Sequence, residues 1–132
     1  MYKRIFMIWL VDDDAEDLDI FQDALQKNGY SGETRFVDSG KLLMELLAQV
    51  PRELLPSVVV LDLNMYVKTG FEVLKDMKAD IALRGIPVII LSGSANTYDE
   101  TTCFALGCDR YWKKPSSMHD YDRMAKYLIT LF

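Results

Sequence analysis

Five strand-like segments alternate with five helix-patterned ones along this chain, and that alternation limits the fold more than any other feature. Arg4 to Val11 and Val58 to Leu61 are nearly continuous apolar runs, the pattern of strands covered on both faces. Glu33–Val37, Pro87–Leu91 and Asp109–Lys113 are the other expected strands. Between them, Leu18, Phe21, Ala24 and Leu25 mark one face of a helix over Ala15–Asn28, closed by Asn28-Gly29. Leu42, Leu43, Leu46, Leu47 and Val50 stripe a second helix, with Pro51 and Pro56 bracketing its exit. Thr69 and Glu72 have capping-box spacing, so a third helix is expected to start near Gly70 with Phe71, Leu74 and Met77 inward. Thr97 and Glu100 have the same spacing and predict a short, weakly amphipathic helix to Leu106, ended by Gly107. The last helix is expected from Met118 onward, with Tyr121, Met124, Ala125, Leu128 and Phe132 facing inward. Alternating βα units predict an α/β fold: a doubly wound, five-stranded parallel sheet with helices on both faces.

The 132 residues suit one domain, with no linker, repeat or room for a DNA-binding module expected. At a formal net charge of -5 the chain gains nothing from the counterion release that drives nucleic-acid binding. Lys3 and Arg4 before an apolar run look like the opening of a signal peptide, but the run stops at Asp12-Asp13-Asp14 without a small-residue cleavage site. No run has the length of a membrane span, so a cytoplasmic protein without membrane contact is expected. Cys103 and Cys108 match no common zinc spacing and read as reduced, buried or half-buried thiols. Trp9, Trp112 and the methionines read as packing residues, and His119 as a surface residue.

In a doubly wound sheet all strand C-termini lie along one edge, where ligands bind. The first strand ends in Asp12, Asp13 and Asp14, the third in Asp62, the fourth in Ser92 and the fifth in Lys113 and Lys114. Carboxylates from two strands meeting there repel unless a hard cation joins them, and Mg²⁺ prefers such oxygens together with phosphate. A lysine ammonium and a serine hydroxyl suit phosphate oxygens, and a carboxylate can serve as the nucleophile of a phosphoryl transfer. Singly each has a plain reading, such as carboxylates favoured at a helix N-terminus; the joint placement carries the argument.

Leu10-Val11-Asp12-Asp13-Asp14, Leu61-Asp62-Leu63-Asn64-Met65, Gly70-Phe71-Glu72-Val73-Leu74, Pro87 to Ser92 and Lys114-Pro115, in this order and spacing, resemble the receiver domain of bacterial two-component response regulators. The resemblance spans nearly the whole chain. It implies the flavodoxin-like strand order 2-1-3-4-5 and a stand-alone receiver. Asp62 would be the phosphoacceptor, and Asp12, Asp13, Asp62 and the backbone carbonyl of Asn64 would hold Mg²⁺. Ser92 and Lys114 would contact the phosphoryl group, and Ser92 and Tyr111 would form the switch. Phosphorylation would be self-catalysed, so the chain would not be an enzyme in the ordinary sense. The implied partners are a histidine kinase or phosphotransfer protein and a downstream protein on the face of the fourth helix, fifth strand and fifth helix. The implied assembly is a monomer or a phosphorylation-dependent dimer. A cis Lys114–Pro115 bond is also implied. Gln49–Ser57 and the approach to Pro87 are similar to single-domain regulators paired with phytochrome-like kinases. Two departures stand out: Tyr66 where the family usually has proline, implying a more mobile or aromatic-lined loop, and Gly93 where alanine is common.

Two other functions share this layout. A Mg²⁺-dependent aspartyl-phosphate phosphatase would carry an acid/base aspartate two residues after the nucleophile, where this chain has Asn64. A receiver fold used only for protein interaction would have lost an acidic, acceptor or lysine position, and none is lost here.

Overall fold

The computed structural model describes residues 6–65, 67–93 and 96–131. Its elements run β1 (Met7–Val11), α1 (Ala15–Lys27), β2 (Glu33–Val37), α2 (Gly40–Gln49), a 3-10 turn (Arg52–Leu54), β3 (Val58–Asp62), α3 (Gly70–Ala79), β4 (Val88–Ser92), α4 (Thr97–Ala105), β5 (Arg110–Lys113) and α5 (Met118–Thr130). All four strand pairings are parallel, in the order β2-β1-β3-β4-β5. Order and helix alternation agree with the sequence reading.

Strand parity divides the core. Ile8, Leu10, Val58, Val60, Ile89 and Leu91 pack with α1 and α5. Trp9, Val11, Val59, Leu61, Val88 and Ile90 point the other way, into a second cluster with α2 and α3. Successive strand residues face opposite sides, so a strand buried on both must be apolar throughout. Every residue of β3 and β4 is buried, and each large apolar side chain hidden there contributes about 1.5–3 kcal/mol. The edge strands are different: Glu33 and Arg35 on β2, and Arg110 and Lys113 on β5, are exposed charges, which blunt an open sheet edge. Trp9 is fully buried, and Trp112 stacks edge-on against Tyr127 at 5.4 Å.

Local chemistry sets the helix ends. Asp14 caps α1, and the Thr69–Glu72 capping box opens α3 as expected. On α3 the buried residues are Gly70, Val73, Leu74 and Met77, with Phe71 only half-buried, because the helix starts at Gly70 and its inward stripe passes through position 73. The expected Thr97–Glu100 box is not what opens α4. Asn96 caps it, its side chain accepting from the Tyr98 N–H at 2.8 Å, because asparagine is the better cap and precedes threonine. The helix ends in a Schellman arrangement: Gly107 at φ +104 lets its N–H reach Phe104 O, and Cys108 N–H reaches Cys103 O, each at 3.0 Å. Cys103 is the one buried residue of α4, while Tyr98 and Phe104 are exposed. Burial pushes the Cys103 and Cys108 thiols up to about 12 and about 11, so both stay protonated and unreactive.

Lys114–Pro115 is trans, contrary to the expected cis bond; trans is the form the amide itself favours. Tyr66, Phe132 and the start of the first strand at Arg4 lie outside the described residues.

Val67, in the loop after β3, has φ +67 and is 93% exposed. A β-branched residue resists this left-handed region, and no burial of its side chain offsets the strain. Val67→Asn is therefore expected to raise stability by about 1 kcal/mol, read as a melting temperature higher by a few °C.

Candidate functional site

The parallel sheet delivers four strand ends to one edge. β1 runs out at Val11, and the next residue, Asp12, is 4% exposed. Its N–H donates to Val37 O of β2 at 3.0 Å, and its Oδ1 accepts the Asp14 N–H at 3.0 Å. Asp13, the next residue, is exposed at the mouth of the edge. Asp14 is occupied as the α1 cap, accepting from Glu16 and Asp17 N–H groups. Asp62 closes β3 at 1% exposure, its Oδ1 accepting the Asn64 N–H at 3.1 Å. Ser92 closes β4 and is fully buried. Its carbonyl accepts the Lys114 N–H at 2.7 Å, which fixes the chain as it leaves β5.

That anchor brings the Lys114 side chain back across the edge. Its Nζ lies 3.2 Å from Asp62 Oδ2, 3.5 Å from Asp12 Oδ2 and 3.7 Å from Asp17 Oδ2. One ammonium thus faces three carboxylates. Carboxylate oxygens of Asp12, Asp13 and Asp62 lie within 4.8 Å of one another. The charge imbalance shows in the titration of Asp12, pushed up to about 7 by burial and by the neighbouring Asp62 and Asp17 charges, against the opposing Asp14 N–H and Lys114. Burial alone would depress the Lys114 ammonium, but Asp12 and Asp62 outweigh it and hold its pKa above the ordinary value.

Three convergent oxygens on two strand ends, one of them reluctant to ionise without more positive charge, fit a small hard cation with open positions for water and phosphate. Soft ligands are absent from this group.

Tyr111 is half-buried on β5 and shares a hydrogen bond with the Ser92 side chain; burial foremost raises its hydroxyl pKa. The two residues expected to switch are therefore in direct contact. His119 is exposed at the start of α5, as expected.

The family model of the response regulator receiver domain matches residues 8–126. The chain belongs to the response regulator receiver family. Among similar proteins, the polar-differentiation response regulator DivK of Brucella ovis is 32% identical over 111 residues, 84% of this chain and 85% of that protein. Among solved structures, the phosphorylated cyanobacterial phytochrome response regulator RcpA superposes with a TM-score of 0.84 at 31% identity, covering 94% of this chain and 91% of that one. The Mn²⁺-bound form of response regulator Rcp1 gives a TM-score of 0.84 at 28% identity, covering 95% and 92%.

Within this receiver domain, the structure brings Asp12, Asp13, Asp62, Ser92 and Lys114 to one edge, with Asn64 two residues past Asp62 and Tyr111 against Ser92. Nothing in the sequence around Asp17 marks it as part of the site. Its position in the first turn of α1 shows only a carboxylate favoured by the helix dipole. Its approach to Lys114, and the Tyr121 hydroxyl donating to its Oδ1 at 3.4 Å, depend on α5 packing beside α1.

Proposed function

We propose that this receiver domain is a Mg²⁺-dependent phosphorylation switch whose acceptor is Asp62. The observation that carries the reading is the Asp62 carboxylate itself. It is 1% exposed, bonded on one oxygen to Lys114 at 3.2 Å, and its oxygens converge with those of Asp12 and Asp13 to within 4.8 Å.

Asp12, Asp13, Asp62 and the Asn64 carbonyl would hold the ion. When bound, it supplies positive charge to the transferring phosphoryl oxygens. The chain's own residues do the rest. An Asp62 carboxylate oxygen attacks the phosphorus of a phosphohistidine; the O–P bond forms as the P–N bond breaks and the imidazole leaves. Lys114 holds a compact positive charge beside the oxygens that gain charge, and catalysis is chiefly positioning. The Ser92 hydroxyl donates to a phosphoryl oxygen. Attack of water on phosphorus later returns the carboxylate and inorganic phosphate, so the domain catalyses its own resetting.

Drawing Ser92 toward the phosphoryl group changes its contact with Tyr111, and the Tyr111 side chain then shifts on β5 relative to α4. A phosphoryl group stabilises one of two arrangements in proportion to its differential contacts with them. The α4-β5-α5 face would thereby select a downstream protein, and the donor would be a histidine kinase or phosphotransfer protein of the same compartment, expected to be the cytoplasm.

Incubation with acetyl phosphate and Mg²⁺ followed by intact-mass measurement tests this. The native chain is expected to gain one phosphoryl group, lost in Asp62→Ala and in the presence of chelator. An unmodified native chain, under conditions that label a known receiver, would leave an interaction module without phosphorylation.

A further inference from the structure

Asp17 stands outside the group of Asp12, Asp13 and Asp62 whose oxygens converge, yet it shares their lysine. Its Oδ2 is 3.7 Å from Lys114 Nζ, and its Oδ1 accepts the Tyr121 hydroxyl at 3.4 Å. Tyr121 is itself fixed, buried on α5 and edge-on to Phe21 of α1 at 5.7 Å between ring centroids. The carboxylate is therefore oriented from one side by a rigid phenol while its other oxygen faces the ammonium.

The charges give this arrangement a task. Without a cation, Lys114 is held by Asp12, Asp17 and Asp62 together. A divalent cation would offset two of the three negative charges of Asp12, Asp13 and Asp62 and would claim their oxygens. The ammonium then loses much of its reason to stay. Asp17 takes no part in that group, so the ion would not claim its oxygens.

We infer that Asp17 is a positioning residue for Lys114: with Tyr121 steadying it, its carboxylate keeps the ammonium beside Asp62 once a divalent cation occupies the site. The inference rests on the phosphoacceptor reading above. The plain alternative is that Asp17 serves only the α1 helix dipole and the α1–α5 contact.

The test uses the full chain carrying Asp17→Asn or Tyr121→Phe, with folding followed by melting temperature. Two quantities are measured: the rate of Asp62 labelling by acetyl phosphate and Mg²⁺, and the rate of Lys114 acetylation by trace acetic anhydride with and without Mg²⁺. Asp17→Asn is expected to slow labelling about 10-fold, and Tyr121→Phe in the same direction but less. In a Lys114→Ala background the Asp17→Asn change should have no further effect. Lys114 acetylation in Asp17→Asn should rise several-fold on adding Mg²⁺ and stay level in the native chain. Equal labelling rates in native and Asp17→Asn chains overturn the inference, and so does an equal slowing in the Lys114→Ala background. If Asp17→Asn does not fold, Asp17→Glu, which keeps the charge, must label at near the native rate, and loss of rate there overturns the inference. A native chain that is never labelled overturns the phosphoacceptor reading; the acetylation measurement then judges the Asp17–Lys114 contact separately.

Discussion

Gly70→Ala is expected to destabilise the protein by about 3 kcal/mol and to slow Asp62 labelling about 10-fold. A β-carbon at Gly70 would lie 2.7 Å from Leu63 Cα and 2.8 Å from Asp62 O. Both obstacles are backbone, so no side chain can swing aside to make room. The Gly70 N–H also donates to Leu63 O at 3.0 Å, tying the start of α3 to the end of β3. Added volume there must push apart the helix and the strand end that carries Asp62. Leu63 N–H in turn bonds Leu91 O at 2.9 Å, so the displacement reaches β4 just before Ser92. Equilibrium denaturation gives the energetic part. Acetyl-phosphate labelling under conditions where the variant is fully folded isolates the loss of geometry. A variant that melts lower but labels at the native rate would show that the strand end tolerates the shift.

The second large effect concerns Asp12 and pH. Its folded-state pKa of about 7 lies above the ordinary carboxylate value of 3.8, chiefly through burial and then through Asp62 and Asp17. Between those values the folded cation-free chain binds more protons than the unfolded chain, so stability falls as pH rises from about 4 to about 7 and is level above. Each tenfold difference in proton affinity between the folded and unfolded chains corresponds to about 1.4 kcal/mol. After relaxation of the site the loss is of order 2–4 kcal/mol, or on the order of 10 °C in melting temperature at this chain length. Asp12→Asn is expected to flatten that slope and to melt higher than the native chain at pH 8 without Mg²⁺. With Mg²⁺ the order should reverse, because the native site is stabilised by ligand binding and the variant has lost an anionic ligand. Melting curves at pH 5 and pH 8, with Mg²⁺ and with chelator, contain all four comparisons. An Asp12→Asn chain that still gains as much from Mg²⁺ as the native one would remove Asp12 from the ligand set.

The features behind these expectations differ in how openly the sequence displays them. The sheet is plainly legible, because strands covered on both faces must be apolar at every position, as Val58–Leu61 is. The site follows from the sheet: a parallel arrangement puts Asp12, Asp62, Ser92 and Lys114 at one edge by topology, whatever their separation along the chain. Side-chain reach across elements is what the sequence hides. Asp17 lies at the first turn of α1, where a carboxylate is common for a local reason, and its link to Tyr121 spans 104 positions. The cap of α4 falls one position from the expected one because Thr97–Glu100 fits a capping box, while the better cap, Asn96, carries no spacing pattern. The cis expectation for Lys114–Pro115 comes from resemblance alone, and nothing in the dipeptide distinguishes the isomers.

The thin attachment of α4 has a further consequence. Folding requires little of this helix beyond Cys103 inside, Asn96 at its start and Gly107 at its end. Its outward positions, Tyr98 and Phe104 among them, can change at a cost near ±0.5 kcal/mol, roughly as exposed sites generally do. The proposed phosphoryl chemistry would meanwhile rest on β1, β3 and β4, where nearly every residue is buried and change is expensive. Selection can thus act on the two halves separately. If the α4-β5-α5 face selects the recipient as proposed, a duplicated copy of this chain could acquire a different one through a handful of α4 substitutions, keep the carboxylate edge intact, and remain insulated from the signalling line it came from.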